Sequence, residues 1–133
     1  MTNVLIVDDE RLIGEVLKQA LEEAGFKVTQ ASNGKEAMCR IQYEKPFLVV
    51  CDYMMPLTNG MELANEIRQR PEWSHIPIIL MSGGHADVAS EARGIFNCVL
   101  QKPFDLTTFI NVVIDLIGDP TLEPLGDGPD GRT

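Results

Sequence analysis

The feature of this chain that most constrains its fold is the alternation of short apolar runs with segments of helical period. Four runs are apolar without interruption, as expected of strands covered on both faces of a parallel sheet. They span residues 4–7, 47–51, 78–81 and 98–100. A fifth segment, Lys27–Ala31, alternates polar with apolar residues after Gly25, which indicates an edge strand entered from a helix.

Between these runs, apolar residues recur at the spacing of helices. Residues 12–24 and 109–117 carry broad apolar stripes, and Asp105 and Gly118 are placed to cap and to end the second of these helices. The apolar pattern over 61–67 predicts another helix, which stops before Pro71, and two weaker patterns predict helices over 34–43 and 86–93. The last of these patterns has few apolar side chains to bury, so we expect that helix to be held loosely.

Five β–α units in sequence predict an α/β fold, in which a doubly wound, open parallel sheet of five strands carries helices on both faces. We expect one domain over residues 1–118. From residue 119 to residue 133 the composition shifts to Gly, Pro and Asp, which is typical of a flexible tail or linker.

Composition and charge narrow the function classes. The 133 residues include 20 acidic and 11 basic side chains, a net charge of −9, so the chain would repel a nucleic-acid backbone. No apolar run reaches the roughly 20 residues of a membrane span, and the first residues lack a signal-peptide pattern. Cys39, Cys51 and Cys98 are an odd number without metal-ligand spacing, which favours free thiols. We expect a cytoplasmic protein that binds neither nucleic acid nor membrane.

Polar residues follow the apolar runs at the points where the strands should end. They are Asp8, Asp9, Asp52, Ser82 and Lys102. Because the carboxyl ends of parallel strands meet at one edge of a sheet, we expect these side chains to converge. Three carboxylates that converge need a cation, and oxygen ligands of this kind suit Mg²⁺. Lys102 and Ser82 could then bind an incoming phosphoryl group.

A carboxylate can itself be the nucleophile of phosphoryl transfer, by forming an aspartyl phosphate. Asp52 is the best candidate, because it stands alone at the end of a central apolar run, whereas Asp8 and Asp9 are adjacent and better placed to share a metal. The glycine pair of Gly83 and Gly84 lets the backbone approach a bulky anion.

Four elements in this order resemble the receiver domain of response regulators in two-component signalling. They are Asp8-Asp9, the segment DYMMPLTNG from Asp52 to Gly60, Ser82-Gly83, and Lys102-Pro103-Phe104. The resemblance covers about residues 3–118 and implies a CheY-like, flavodoxin-like (βα)5 fold with strand order 2-1-3-4-5. It also implies transfer of a phosphoryl group to Asp52 from a histidine kinase or histidine phosphotransfer protein.

The resemblance further implies roles for single residues and for partners. Mg²⁺ is held by Asp8 or Asp9, by Asp52 and by the backbone carbonyl of Met54; Ser82 and Lys102 bind the phosphoryl group, and the Lys102–Pro103 peptide is cis. A downstream output protein or domain reads the phosphorylated state. A phosphorylation-dependent dimer would use the face formed by the helix over 86–93, the fifth strand and the last helix.

The sequence departs from this family at two positions. Val99 stands three residues before the lysine, where the family often has an aromatic residue that moves with the switch residue Ser82. Met54 stands where the family often has a polar residue and, like Gly84, flanks the phosphoryl site. We expect a differently routed signal and an altered dephosphorylation rate of undetermined sign.

Two other functions stay open at this point. A phosphohydrolase of the haloacid-dehalogenase type also uses an aspartyl phosphate and Mg²⁺, but it normally has a second acid two residues after the nucleophile, where this chain has Met54. A phosphorylation-independent interaction module would need none of the site residues. We expect a switch that catalyses only its own phosphorylation and dephosphorylation, rather than an enzyme.

Overall fold

The computed structural model describes residues 2–55, 58–83 and 94–121. Within them lie five strands, β1 Asn3–Val7, β2 Lys27–Ala31, β3 Leu48–Asp52, β4 Ile78–Ser82 and β5 Cys98–Gln101. The helices are α1 Arg11–Glu23, α2 Gly34–Tyr43, α3 Gly60–Gln69 and α4 Leu106–Ile117. The predicted helix over 86–93 falls outside the described residues.

The five strands form one parallel sheet in the order β2-β1-β3-β4-β5. The predicted fold class and strand order are therefore confirmed, and β2 is an edge strand as its polar alternation indicated. Asp52 pairs with Met81, so β3 extends one residue beyond the apolar run that predicted it. The site residue is thus the last residue of the strand and not the first of a loop.

Alternate residues of each strand face opposite sides of the sheet, and each side has its own core. Leu5, Val49 and Leu80 pack with side chains of α2 and α3 on one side. Val50 and Met81 pack with side chains of α1 and α4 on the other. Because β1, β3 and β4 are fully buried, their carboxyl ends have fixed positions.

Several helix ends have the chemistry that the sequence predicted. Asp105 accepts a hydrogen bond from the Thr108 N–H at 2.7 Å and caps α4. Gly118, which follows α4, has φ +89°, a left-handed conformation that favours glycine. Pro120 and Thr121 of the predicted tail lie against Gly25, so contacts with the domain continue to residue 121.

The apolar stripe of α1 is only partly buried. Leu17 and Leu21 enter the core, but Leu12 is 78% exposed and Val16 is 51% exposed. The stripe is wider than the surface that α4 and the sheet cover. Among the described residues, no helix is both long and apolar enough to cross a membrane.

Candidate functional site

The predicted site residues meet at the carboxyl edge of the sheet. Asp8 follows β1, Asp52 ends β3 and Ser82 ends β4, and all three are buried. The Lys102 ammonium lies 3.1 Å from Asp52 Oδ1, across 50 positions of sequence. The parallel topology thus brings together residues that the sequence places far apart.

Backbone contacts set the position of Lys102. Its N–H donates to the Ser82 carbonyl at 2.7 Å, so the chain leaves β5 beside the end of β4. The Lys102–Pro103 peptide is cis, as predicted. A charge-assisted hydrogen bond to a buried carboxylate is stronger than a neutral one, and it aims the ammonium at Asp52.

Asp8 is a strongly perturbed carboxylate. Its Oδ1 accepts a hydrogen bond from the Glu10 N–H at 2.8 Å, whereas its buried Oδ2 has no hydrogen-bond partner within the described ranges. Burial, with a smaller contribution from the Asp52 charge, raises the pKa of Asp8 from 3.8 to about 6. A buried carboxylate oxygen without a donor favours a cation beside it.

Carboxylate oxygens of Asp8, Glu10 and Asp52 lie within 4.8 Å of one another. Hard oxygen donors in this number suit Mg²⁺, which binds one or two carboxylates and keeps several waters. The unpartnered Asp8 oxygen and the acidic donor set therefore fit Mg²⁺ and support its binding here.

The remaining predicted residues lie around this centre. Asp9 is exposed and does not belong to the close carboxylate group, so its role as a metal ligand stays a prediction. Met54 is 59% exposed beside the site, and Gly83 is exposed after β4. Val99 is half-buried in β5 against the core of α2 and α3. Gly84 falls outside the described residues.

Glu10 is the site residue that the sequence reasoning missed. The signal was a third acidic residue directly after Asp8-Asp9. The spacing alone does not show which of three consecutive acids turn toward Asp52, because that depends on how the chain bends after β1.

Gly60 packs closely against the backbone of Asp52. A Cβ atom on Gly60 would lie 2.6 Å from the Asp52 carbonyl oxygen and 2.8 Å from Leu80 Cδ1. The Gly60 N–H donates to the Tyr53 carbonyl at 3.0 Å. The first residue of α3 therefore packs directly on the backbone that carries Asp52, a contact that only glycine permits.

An apolar groove of 430 Å³ adjoins the site between α1 and the start of α4. Its lining residues are Leu12, Ile13, Val16, Leu17, Lys102, Pro103, Phe104 and Leu106. Leu106 is 41% exposed and adds to the exposed surface of Leu12 and Val16. Lys102 therefore borders the groove and contacts Asp52.

Fold and site together define a class of protein, namely a doubly wound α/β domain with an acidic, lysine-facing centre at the carboxyl edge of its sheet. A family model described as "Response regulator receiver domain" matches residues 4–114. The chain belongs to this family and is a receiver domain of two-component response regulators.

Two curated relatives are transcriptional regulators. The phosphate regulon regulatory protein PhoB of Rhizobium meliloti is 34% identical over 71% of this chain and 41% of its own length. The KDP operon regulatory protein KdpE of Escherichia coli is 38% identical over 80% of this chain and 47% of its own length. This chain thus spans less than half the length of either regulator.

A solved structure shows the same architecture with an ion. The response regulator TrrA of Thermotoga maritima, in complex with Mg²⁺ and BeF, matches with a TM-score of 0.79 and 31% identity, over 87% of this chain and 99% of that one. With a response-regulator family and an intact acidic centre, the phosphohydrolase and the phosphorylation-independent module are not favoured.

Proposed function

We propose that Asp52 is the phosphoacceptor of this receiver domain, in a Mg²⁺-dependent reaction with a histidine kinase or histidine phosphotransfer protein. The observation that carries the proposal is the contact of 3.1 Å between the Lys102 ammonium and Asp52 Oδ1, within an acidic group in which Asp8 and Asp52 are buried. The lysine ammonium beside this carboxylate also provides positive charge for the oxygens of an incoming phosphoryl group.

Each residue has a task in the transfer. An Asp52 oxygen attacks phosphorus, the bond to the donor histidine nitrogen breaks, and that nitrogen keeps the electron pair. Lys102 then exchanges its contact with the carboxylate for one with a phosphoryl oxygen, and Ser82 donates a hydrogen bond to another. When bound, Mg²⁺ would supply positive charge that offsets the negative charge of the transferred group.

Four groups are proposed as ion ligands, as implied by the family. They are Asp8, Asp9, Asp52 and the backbone carbonyl of Met54. Asp8 and Asp52 are supported as ligands by the buried Asp8 oxygen and by the short distance between their carboxylates.

The apolar groove is proposed as the docking site of the phosphodonor protein. Exposed Leu12, Val16 and Leu106 offer an apolar surface next to Asp52, and an amphipathic helix of a partner buries such a surface. A donor histidine on that helix would then reach Asp52 past Lys102.

The signalling consequences belong to the same proposal. Phosphorylation draws Ser82 and Gly83 toward the site. Because Val99 stands where the family often has an aromatic residue, the change reaches an output protein or domain by a different route. The dimer face that includes residues 86–93 stays a prediction. We propose a cytoplasmic switch over residues 1–118, which catalyses only its own phosphorylation and dephosphorylation, with a tail over 119–133.

Intact-mass spectrometry after incubation with acetyl phosphate and Mg²⁺ tests the proposal. We expect the wild-type chain to gain one phosphoryl group and Asp52→Asn to gain none. Asp105→Asn is the matched control, because Asp105 caps α4 and does not belong to the acidic group of the site, and it should be phosphorylated like the wild type. Failure of the wild type to gain a phosphoryl group, or equal gain by Asp52→Asn, would contradict the proposal.

A further inference from the structure

The carboxylate of Glu10 belongs to the acidic group at the site, and the proposed function gives it no role. One of its oxygens lies within 4.8 Å of oxygens of Asp8 and Asp52. Glu10 is exposed, whereas Asp8 and Asp52 are buried. Glu10 therefore reaches the group from its solvent side.

Helix capping does not account for the position of the Glu10 side chain. Glu10 is the N-cap residue of α1, with φ −88° and ψ 101°, yet its side chain makes no capping hydrogen bond. The side chains that usually accept a hydrogen bond from the first turn of a helix are those of Ser, Thr, Asp and Asn at the N-cap, and glutamate is not among them. Here the Glu10 backbone N–H holds Asp8 Oδ1 at 2.8 Å, which ties the two residues together while leaving the Glu10 carboxylate for the site.

Asp8 supplies an independent observation. It is 5% exposed, and its Oδ2 has no hydrogen-bond partner within the described ranges. A buried carboxylate oxygen of this kind requires a donor or a cation. A divalent ion that meets this oxygen also comes close to the Glu10 carboxylate, since the three acids form one group.

We propose that Glu10 is a further acidic residue of the ion site, and that its charge increases affinity for Mg²⁺ without taking part in phosphoryl transfer. The inference rests on the proposed function, because it places the ion beside Asp52. Because the Glu10 carboxylate lies on the solvent side of the group, its attraction for a divalent ion would be screened but still favourable.

Electron paramagnetic resonance of free Mn²⁺, with Mn²⁺ as the probe and Mg²⁺ as competitor, measures the affinity in the full chain. We expect Glu10→Gln to raise the Kd for Mn²⁺ about fivefold. Glu10→Asp keeps the charge on a shorter side chain and should lie nearer the wild type. Glu15→Gln is the matched control, because Glu15 is a half-exposed acid one turn later in α1 that pairs with Arg11 at 3.4 Å. It should change the Kd less than about twofold.

A change below about twofold in Glu10→Gln, or an equal loss in Glu15→Gln, would overturn the inference. The proposed function would survive that result as long as wild-type Asp52 still takes a phosphoryl group from acetyl phosphate with Mg²⁺. If the wild type binds neither Mn²⁺ nor Mg²⁺, the proposed function fails as well.

Discussion

The buried carboxylate of Asp8 offers an oxygen ligand to an ion, but its burial lowers the stability of the metal-free protein at neutral pH. Because burial raises its pKa to about 6, folding favours the protonated form. The contribution of this group to stability is therefore complete below its ordinary pKa of 3.8 and is lost as pH rises through about 6. At neutral pH the metal-free protein holds a charged carboxylate that an ion would stabilise.

Asp8→Asn should therefore stabilise the metal-free protein at pH above 6 by about 1–3 kcal/mol. Urea unfolding in EDTA at several pH values measures the difference, which should shrink as pH falls toward 4. Asp9→Asn is the control, because Asp9 is exposed, and its effect should stay within about 0.5 kcal/mol. A destabilised Asp8→Asn at neutral pH would contradict the explanation.

Gly60 is the residue on which the position of Asp52 depends most directly. Gly60→Ala would place a Cβ 2.6 Å from the Asp52 carbonyl oxygen, so we expect a loss of about 1–3 kcal/mol in the free energy of unfolding and slower phosphorylation. Urea unfolding and intact-mass time courses measure the two effects.

Gly14→Ala is a matched control for this substitution. Its Cβ would meet only the end of the flexible Gln30 side chain, at 2.7 Å, and alanine favours the helix by up to about 1 kcal/mol. The variant should be neutral or more stable. If Gly60→Ala behaves in the same way, the backbone of Asp52 does not depend on this close contact.

At this scale, the strand-end residues were predictable and the loop residues were not. Asp8, Asp52 and Lys102 are brought together by parallel strand topology, which the apolar runs already indicate. Glu10 reaches the group because its backbone N–H binds Asp8 Oδ1. That contact depends on the turn after β1, and residue types alone do not specify it.

Among the elements, α2 and α3 begin with the same local chemistry. Asn33 and Asn59 each accept a hydrogen bond from a glutamate N–H three residues later, and each is followed by glycine. In α3 the Glu62 side chain also accepts a hydrogen bond from the Asn59 N–H at 3.0 Å, which completes a capping box. The α3 cap thus helps to hold Gly60 on the end of β3.

The other end of α3 is held by Arg68. Its guanidinium donates to the carbonyls of Ser74, Ile76 and Ile95, at 3.0, 2.7 and 3.0 Å, and to Asn97 Oδ1 at 3.1 Å. Asn97 Oδ1 also accepts from the Ile78 N–H at 2.9 Å. Arg68 therefore joins α3, the loop before β4 and the approach to β5.

Arg68→Lys should destabilise the protein by about 1–3 kcal/mol, because an ammonium cannot reach carbonyls in three directions and leaves some of them unpaired. The free energy of unfolding in urea measures this loss. Arg40→Lys changes an exposed arginine that pairs with Glu36 at 3.7 Å, and it should cost less than about 0.5 kcal/mol. Equal stability of the two variants would show that the Arg68 contacts contribute little.

Element positions followed from periodicity, but long-range contacts such as those of Arg68 did not. Its partners lie 6 to 29 positions away in the sequence and are mostly backbone carbonyls, which carry no sequence signal. The exposure of Leu12 and Val16 was also unforeseen, because a helical stripe does not reveal how much of it a neighbouring helix covers.

For the molecule as a whole, we expect that a substitution can weaken docking of the phosphodonor protein without changing phosphoryl transfer to Asp52. Leu12→Gln removes an exposed apolar side chain from the groove and leaves the carboxylates and Lys102 intact. We expect the kcat/KM for transfer from a phosphorylated histidine phosphotransfer protein to fall about tenfold, while phosphorylation by acetyl phosphate stays unchanged. Tyr43→Gln is the control, because Tyr43 is 90% exposed and lies at the carboxyl end of α2. If Leu12→Gln slows phosphorylation by both donors equally, Leu12 affects the transfer step and not the docking of the protein donor.

Lys102 belongs to two surfaces at once, because its stem borders the groove and its ammonium meets Asp52. A helix seated in that groove would restrict the rotamers open to the lysine before any phosphorus arrives. Recognition of the correct donor and preparation of the acceptor would then be one event, and a small donor that never fills the groove would react with a looser, less prepared lysine.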